Sequence, residues 1–156
     1  MKLISICIPV LNEEENIVNA YDAIDNLFKN ALIEYKYEII FTDNNSSDDS
    51  ENIITKLANK NKNIKYIRFK KNLGYDKSIL EAYKNSLGDA AIVLDCDLQD
   101  PVVVLKQFIN EWKNNYDVVY GVRIKREESP LFTFFRKIYY RIMNANSDTN
   151  YPVDAG

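Results

Sequence analysis

The 156-residue sequence contains no histidine. That absence removes Ser-His-Asp and Cys-His arrangements and every imidazole metal ligand, so any chemistry in this stretch rests on carboxylates, amides or cations. Cysteine is nearly absent too. Cys7 and Cys96 each stand alone in an apolar run, which excludes a disulfide framework and reads as two small reduced core residues of a cytosolic protein. The four glycines, Gly74, Gly88, Gly121 and Gly156, are too dispersed for a Gly-x-Gly-x-x-Gly turn, a P-loop or a Gly-rich turn after the first strand. Dinucleotide oxidoreductases and P-loop NTPases therefore drop out. No apolar run approaches the roughly 20 residues of a membrane span. The run 3–11 is broken by Pro9 and followed by Asn12 and three glutamates, so it lacks the cleavage region of a signal peptide. Positive charge is not in excess either: 20 Lys and Arg against 23 Asp and Glu leave a net charge of -3, which argues against nonspecific nucleic-acid binding.

What is present is the material of a soluble globular domain, with 46% hydrophobic and 28% charged residues and enough length for a real core. Apolar runs at residues 3–10, 37–42, 64–69, 90–94 and 117–122 read as strands. Between them lie amphipathic segments that read as helices. Asn12 is placed to cap the first helix, with Ile17, Ala20, Tyr21, Ile24, Leu27 and Phe28 on its inner face. The second and third helices fall near 48–61 and 76–87, with Gly88 closing the third. Pro101 opens a fourth that turns Leu105, Phe108, Ile109 and Trp112 inward. Five strands alternating with four helices, joined by short connections, predict a three-layer α/β fold: a mostly parallel sheet with helices on both faces.

Such sheets bind ligands beyond the carboxyl ends of their strands, near the reversal of strand order. The polar residues fall there: Leu11-Asn12-Glu13, Asp43-Asn44-Asn45-Ser46, residues 70–75, and Asp95-Cys96-Asp97. Asp95 and Asp97, two apart at a strand end, can point their carboxylates the same way. Oxygens so placed suit Mg²⁺ or Mn²⁺ completed by substrate phosphate, and Gln99 adds an amide oxygen. The same residues could equally form a solvated turn, Glu13 could simply favour a helix N-terminus, and Asp43 with Asn44 could only shape a loop.

Taken together, Ile8-Pro9-Val10-Leu11-Asn12-Glu13-Glu14-Glu15, Asp43-Asn44-Asn45-Ser46-Ser47-Asp48, Lys71-Asn72-Leu73-Gly74, Asp95-Cys96-Asp97-Leu98-Gln99-Asp100-Pro101, Tyr116-Asp117-Val118-Val119-Tyr120-Gly121-Val122-Arg123 and Pro152-Val153-Asp154-Ala155-Gly156 form one pattern. The chain resembles family 2 glycosyltransferases of the GT-A fold, above all those of the dolichol-phosphate-mannose-synthase-like, polyprenyl-phosphate group. The resemblance implies a nucleotide pocket lined by Pro9, Leu11, Glu13 and Asp43, and a metal with the donor diphosphate at Asp95, Asp97 and Gln99. It also implies an acceptor phosphate gripped by Arg123 and Arg126. The chain departs from the family's usual aromatic residue at Leu11, Asp at Asn44, Arg at Lys71 and Phe at Leu73. These departures bear on the base and the sugar and leave the metal–diphosphate core intact.

The implied reaction is inverting transfer of a hexose from a UDP- or GDP-sugar to polyprenyl phosphate, assisted by Mg²⁺ or Mn²⁺. An anionic phosphate acceptor needs no strong base. A sugar hydroxyl would need one, and Asp154 is the family's nearest candidate. The segment 122–143 sets Arg123, Lys125, Arg126, Arg136, Lys137 and Arg141 against Glu127 and Glu128, opposite a face of Leu131, Phe134, Phe135, Ile138 and Ile142. That composition suits either a membrane surface or packing on a core. The expected division is a nucleotide-sugar-binding core, 1–122, and an incomplete acceptor side, 123–156. Because family members continue past the motif at 154–156, the resemblance implies a truncated chain with weak or no transferase activity alone, whose full-length form works at the cytoplasmic face of the membrane. A peripheral enzyme extending a surface polysaccharide, and a nucleotide-sugar-binding module without turnover, are the competing readings.

Overall fold

A computed structural model of the chain describes residues 1–121 and Arg141. Two compact units divide the chain, Met1–Gln107 and Phe108–Gly156. The elements run β1 (Leu3–Val10), α1 (Ile17–Asn30), β2 (Lys36–Asp43), α2 (Ser50–Lys60), β3 (Ile64–Arg68), α3 (Tyr75–Lys84), β4 (Ala90–Val93) and α4 (Val104–Lys113).

The expected parallel sheet is there, in the order β3-β2-β1-β4. β1 is central and buried along its length from Ile4 to Val10 because both faces are covered. Its even residues align with odd residues of β2, Ile6 beside Ile39 and Ile8 beside Phe41, all 0% exposed. Helix α1 covers this face: Ile17, Ala20, Ile24 and Phe28 recur at helical spacing and are buried, and the Phe28 ring sits 4.8 Å from that of Tyr37. Each buried Ile or Phe of this set stabilises the fold by about 1.5–3 kcal/mol. On the opposite face Cys7 and Ile40 pack with Ala82 of α3. Ser78 fastens α3 there by donating its hydroxyl to the Thr42 carbonyl (3.1 Å) and to Thr42 Oγ1 (2.9 Å).

A buried polar cluster closes the amino-terminal end of the sheet. Glu38 Oε1 accepts from Ser5 Oγ at 2.6 Å and from the Leu87 amide at 2.7 Å, while the Gly88 amide donates to Ser5 Oγ at 2.9 Å. Gly88 therefore does not cap α3, which ends four residues earlier at Lys84. It is glycine because a Cβ there would stand 2.6 Å from Ser5 Oγ and 2.8 Å from both the Ser5 nitrogen and the Ala90 carbonyl oxygen.

Other boundaries also differ from the sequence-based expectation. Asn12 is no helix cap: it takes φ +57° and spends its side-chain oxygen on the Ser47 amide at 2.8 Å. Asn16 occupies the cap position instead, and α1 starts at Ile17. Pro101 lies before α4, in a turn closed by the Val104 amide on the Pro101 carbonyl at 2.9 Å. Residues 117–121, expected as a fifth strand, pair with no strand among the described residues, and Tyr116, Val118 and Tyr120 are exposed. The segment 122–143, with Arg123 and Arg126, and Asp154 lie outside the described residues, Arg141 excepted. No described helix is long and apolar enough to cross a membrane.

Candidate active site

Strands β1, β2 and β3 are laid side by side in one direction, and β4 then pairs on the far side of β1. The reversal lies between β1 and β4, where the two strand ends diverge and leave a crevice. A cleft of about 320 Å³ opens there, lined by Pro9, Val10, Leu11, Glu13, Asn44, Asn72, Gly74, Tyr75, Asp95, Cys96 and Asp97. Every post-strand loop of the sheet contributes at least one of these residues.

The loops are held by one another. The Asn12 amide donates to Ser46 Oγ (2.9 Å), the Glu13 amide to Ser50 Oγ (3.0 Å) and the Glu14 amide to Asp48 Oδ2 (3.0 Å). In return the Ser47 amide donates to Asn12 Oδ1 (2.8 Å) and the Asp49 amide to Glu14 Oε2 (2.7 Å). These reciprocal bonds between the loops after β1 and β2 satisfy backbone groups that neither loop could pair alone. They also draw charge onto Asp48: burial works to raise its pKa, but the bonds from Ser50 and the Glu14 amide outweigh it and hold the carboxyl below its ordinary range. Glu13 is further oriented by Asn16, whose Nδ2 donates to its Oε2 at 2.7 Å.

Asp95 and Asp97 are exposed in the cleft on either side of the buried Cys96. Tyr75 donates its phenol to Asp95 Oδ1 at 2.7 Å, and the Gln99 amide donates to Asp97 Oδ1 at 3.1 Å. The charge gathered here registers on the thiol between them. Burial first, then Glu13, Asp97 and Asp95, push the Cys96 pKa up to about 12. The cleft is thus an acidic pocket of three carboxylates from two loops. Among the described residues no group of three or more acids, histidines or cysteines could enclose a cation by itself. Two exposed carboxylates fit a hard divalent ion whose remaining positions are filled by phosphate oxygens and water.

Pro9, Leu11, Glu13, Asp95 and Asp97, picked out in the sequence, meet in the cleft, with Leu11 44% exposed. Asp43 does not line it. Its carboxylate is 0% exposed, with Oδ1 accepting from the Ser46 amide (2.8 Å) and hydroxyl (2.7 Å) and Oδ2 accepting from the Tyr66 phenol (2.8 Å). The Arg68 guanidinium lies 3.6 Å from Oδ2. Burial, then the bond to Asp43, raise the Tyr66 pKa, so the phenol stays a donor. The neighbouring Asn44 faces the cleft instead, 4% exposed, with Oδ1 accepting from the Leu73 amide at 3.3 Å. Gln99 is exposed and is not among the lining residues. Sequence reasoning placed the segments that hold Asn44, Asn72 and Tyr75 at this edge without singling out these three as lining residues. Their signal was position, since each follows a strand or opens a helix at the same edge, and for Asn44 and Asn72 also their place in the family motifs.

The pattern of Glycosyl transferase family 2 matches residues 5–155. The undecaprenyl-phosphate 4-deoxy-4-formamido-L-arabinose transferase of Yersinia pestis (strain Pestoides F) is 35% identical over 145 residues, 92% of this chain and 42% of that protein. The prophage bactoprenol glucosyl transferase homolog of Escherichia coli (strain K12) is 31% identical over 152 residues, 94% of this chain and 49% of its own. The chain spans less than half the length of these curated relatives. Among solved structures, the mannosyltransferase PcManGT from Pyrobaculum calidifontis, in complex with GDP-Man and Mn²⁺, superimposes with a TM-score of 0.62 over 92% of this chain and 38% of that one. At 16% identity that likeness establishes the fold.

Proposed function

The chain belongs to glycosyl transferase family 2, and on that premise we propose that the whole protein moves a hexose, with inversion, from a UDP- or GDP-sugar to polyprenyl phosphate. The observation that carries this reading is the meeting of Glu13, Asp95 and Asp97 in one cleft at the reversal of strand order. An acidic pocket is a poor home for a diphosphate unless a cation enters with it, so the carboxylates call for Mg²⁺ or Mn²⁺. PcManGT, of the same fold, was solved with Mn²⁺ and a nucleotide sugar. The undecaprenyl phosphate in the Yersinia relative's name and the bactoprenol in the Escherichia relative's support a polyprenyl acceptor.

In this reading Asp95 and Asp97 hold the cation. When bound, it offsets the negative charge that grows on the departing diphosphate. Pro9, Leu11, Glu13 and Asn44 flank the nucleotide, and the bonds between the loops after β1 and β2 fix the backbone that carries Glu13. Asp43, though buried, supports Asn44 from beneath by fixing the turn through Ser46. Arg123 and Arg126 meet the acceptor phosphate, which is anionic at neutral pH and attacks without a general base. Asp154 is held in reserve for a hydroxyl acceptor. The acceptor lies in the bilayer, which puts the working enzyme at the cytoplasmic membrane face.

The test has two arms. Calorimetric titration of UDP and GDP into the chain, with and without Mn²⁺, should show Mn²⁺-dependent binding that Asp97→Asn abolishes. Full-length protein should transfer labelled hexose to undecaprenyl phosphate in detergent. Nucleotide binding indifferent to Mn²⁺ and to Asp97→Asn would overturn the cation's role, and transfer to sugar acceptors alone would overturn the lipid acceptor.

A further inference from the structure

Both carboxylates of the acid pair have one oxygen already committed. Asp97 Oδ1 takes the Gln99 amide at 3.1 Å, a bond from the backbone. Asp95 Oδ1 takes the Tyr75 phenol at 2.7 Å, a bond from a side chain 20 residues away on another element. Among the described residues the Oδ2 atom of each carboxylate has no hydrogen-bonded partner. We infer that Tyr75 is a positioning residue for the divalent-cation site: it pins one oxygen of Asp95, so that Asp95 and Asp97 each offer a single oxygen to the ion.

The phenol is well placed to pin it. Tyr75 is the first residue of α3. Its backbone is set by Gly74 at φ +88°, a conformation that glycine adopts without cost, and the Gly74 amide donates to Asn72 Oδ1 at 2.8 Å. Asn44 holds the preceding Leu73 amide, and Ser78, one turn further on, anchors α3 to β2 through Thr42. A phenol is protonated at neutral pH, so at 2.7 Å from Asp95 Oδ1 the Tyr75 hydroxyl is the donor and the carboxylate the acceptor. Two single-oxygen carboxylates leave most positions of an octahedral Mg²⁺ or Mn²⁺ for diphosphate oxygens and water. An Asp95 without its phenol could turn and chelate through both oxygens, or swing away. Either change misplaces the ion relative to the nucleotide.

This inference rests on the cation reading above, and the experiment separates the two. Mn²⁺ is titrated into the chain at saturating UDP or GDP and followed by calorimetry and by the electron paramagnetic resonance of free Mn²⁺. Tyr75→Phe keeps the ring and removes the donor, and should weaken Mn²⁺ about tenfold, the lower end of what outer partners of metal ligands contribute. The far-ultraviolet circular dichroism should not move, which separates a positioning role from a folding defect. On an Asp95→Ala background Tyr75→Phe should change nothing further, because the phenol acts only through Asp95. Wild-type binding of Mn²⁺ that survives Tyr75→Phe unchanged, or a second tenfold loss on the Asp95→Ala background, overturns the inference and leaves the cation reading standing. A wild-type chain that binds no Mn²⁺ overturns both.

Discussion

Removing the hydroxyl of Tyr66 tests how the floor of the site is built. Asp43 is fully buried, and a buried carboxylate persists only when its lone pairs are met. Three hydrogen bonds meet them, two from Ser46 and one from Tyr66, with Arg68 the nearest cation at 3.6 Å. Tyr66→Phe deletes one bond to an ionised acceptor and leaves the ring in place. Hydrogen bonds to charged groups contribute about 1.5–3 kcal/mol, and Arg68 partly compensates, so we expect a loss of about 2 kcal/mol. Urea unfolding followed by circular dichroism measures it, with an unchanged slope confirming that only stability has moved. The companion measurement is UDP and GDP affinity in the same variant. Because neither Tyr66 nor Asp43 lines the cleft, affinity should hold at wild-type level under native conditions. A loss below about 0.5 kcal/mol would refute the argument that Asp43 depends on the phenol. Intact stability with lost nucleotide affinity would restore the expectation that Asp43 itself faces the ligand.

Gly88→Ala should destabilise by about 3 kcal/mol, because the new Cβ meets two backbone atoms at 2.8 Å as well as Ser5 Oγ and cannot be accommodated by a side-chain rotation alone; a urea midpoint equal to wild type would refute the close approach. Cys7 and Cys96 are buried and their thiols pushed up, Cys96 to about 12, so a maleimide at pH 8 should label neither until urea unfolds the chain, and fast native labelling would count against the packing. The phenols of Tyr37, Tyr66 and Tyr75 ionise above their ordinary value, each through burial and a bond to a carboxylate. The unfolded chain therefore releases these protons first, so stability is full below about pH 10 and falls as the pH rises beyond it. Absorbance at 295 nm should show these three among the late-titrating tyrosines, together with Tyr83, which burial also raises, and urea midpoints independent of pH between 9 and 11 would contradict the assignment.

The sheet was legible because its strands are short apolar runs between helical repeats, and burial on both faces leaves few other ways to read 3–10 or 37–42. The acid pair was legible because a strand end followed by Asp-x-Asp leaves the carboxylates nowhere to go but the rim. The helix starts were harder. Asn12 has the chemistry of a cap, but its side chain is claimed by the loop after β2, a partner 35 residues away that no local pattern announces. Asp43 failed for the same kind of reason. Its role was settled by Tyr66 and Arg68 on the neighbouring strand, and which acid of a polar run turns inward depends on the strand register that puts Asp43 opposite Val10 and Arg68. Tyr75 was legible only by its place at the rim, since an aromatic residue opening an amphipathic helix looks like core until the partner carboxylate is known.

The backbone at the rim tells the same story from another direction. The loop after each strand holds one residue in the left-handed region: Asn12 at φ +57°, Asn45 at +66°, Gly74 at +88° and Leu98 at +53°. Asparagine and glycine tolerate that region, and their use in three of the loops needs only turn chemistry. Leu98 is different, because a branched side chain there costs about 1–2 kcal/mol. It follows Asp97 directly, and its amide turns back to the Asp95 carbonyl at 3.3 Å while the next amide, that of Gln99, binds Asp97. A right-handed residue at 98 would carry the Gln99 amide away and free the Asp97 carboxylate to rotate. The strain at Leu98 and the phenol of Tyr75 thus do the same work on the two acids, one through the backbone and one through a side chain. Local conformational cost retained beside the acid pair fits the proposed cation site, where two carboxylates have to be held in place.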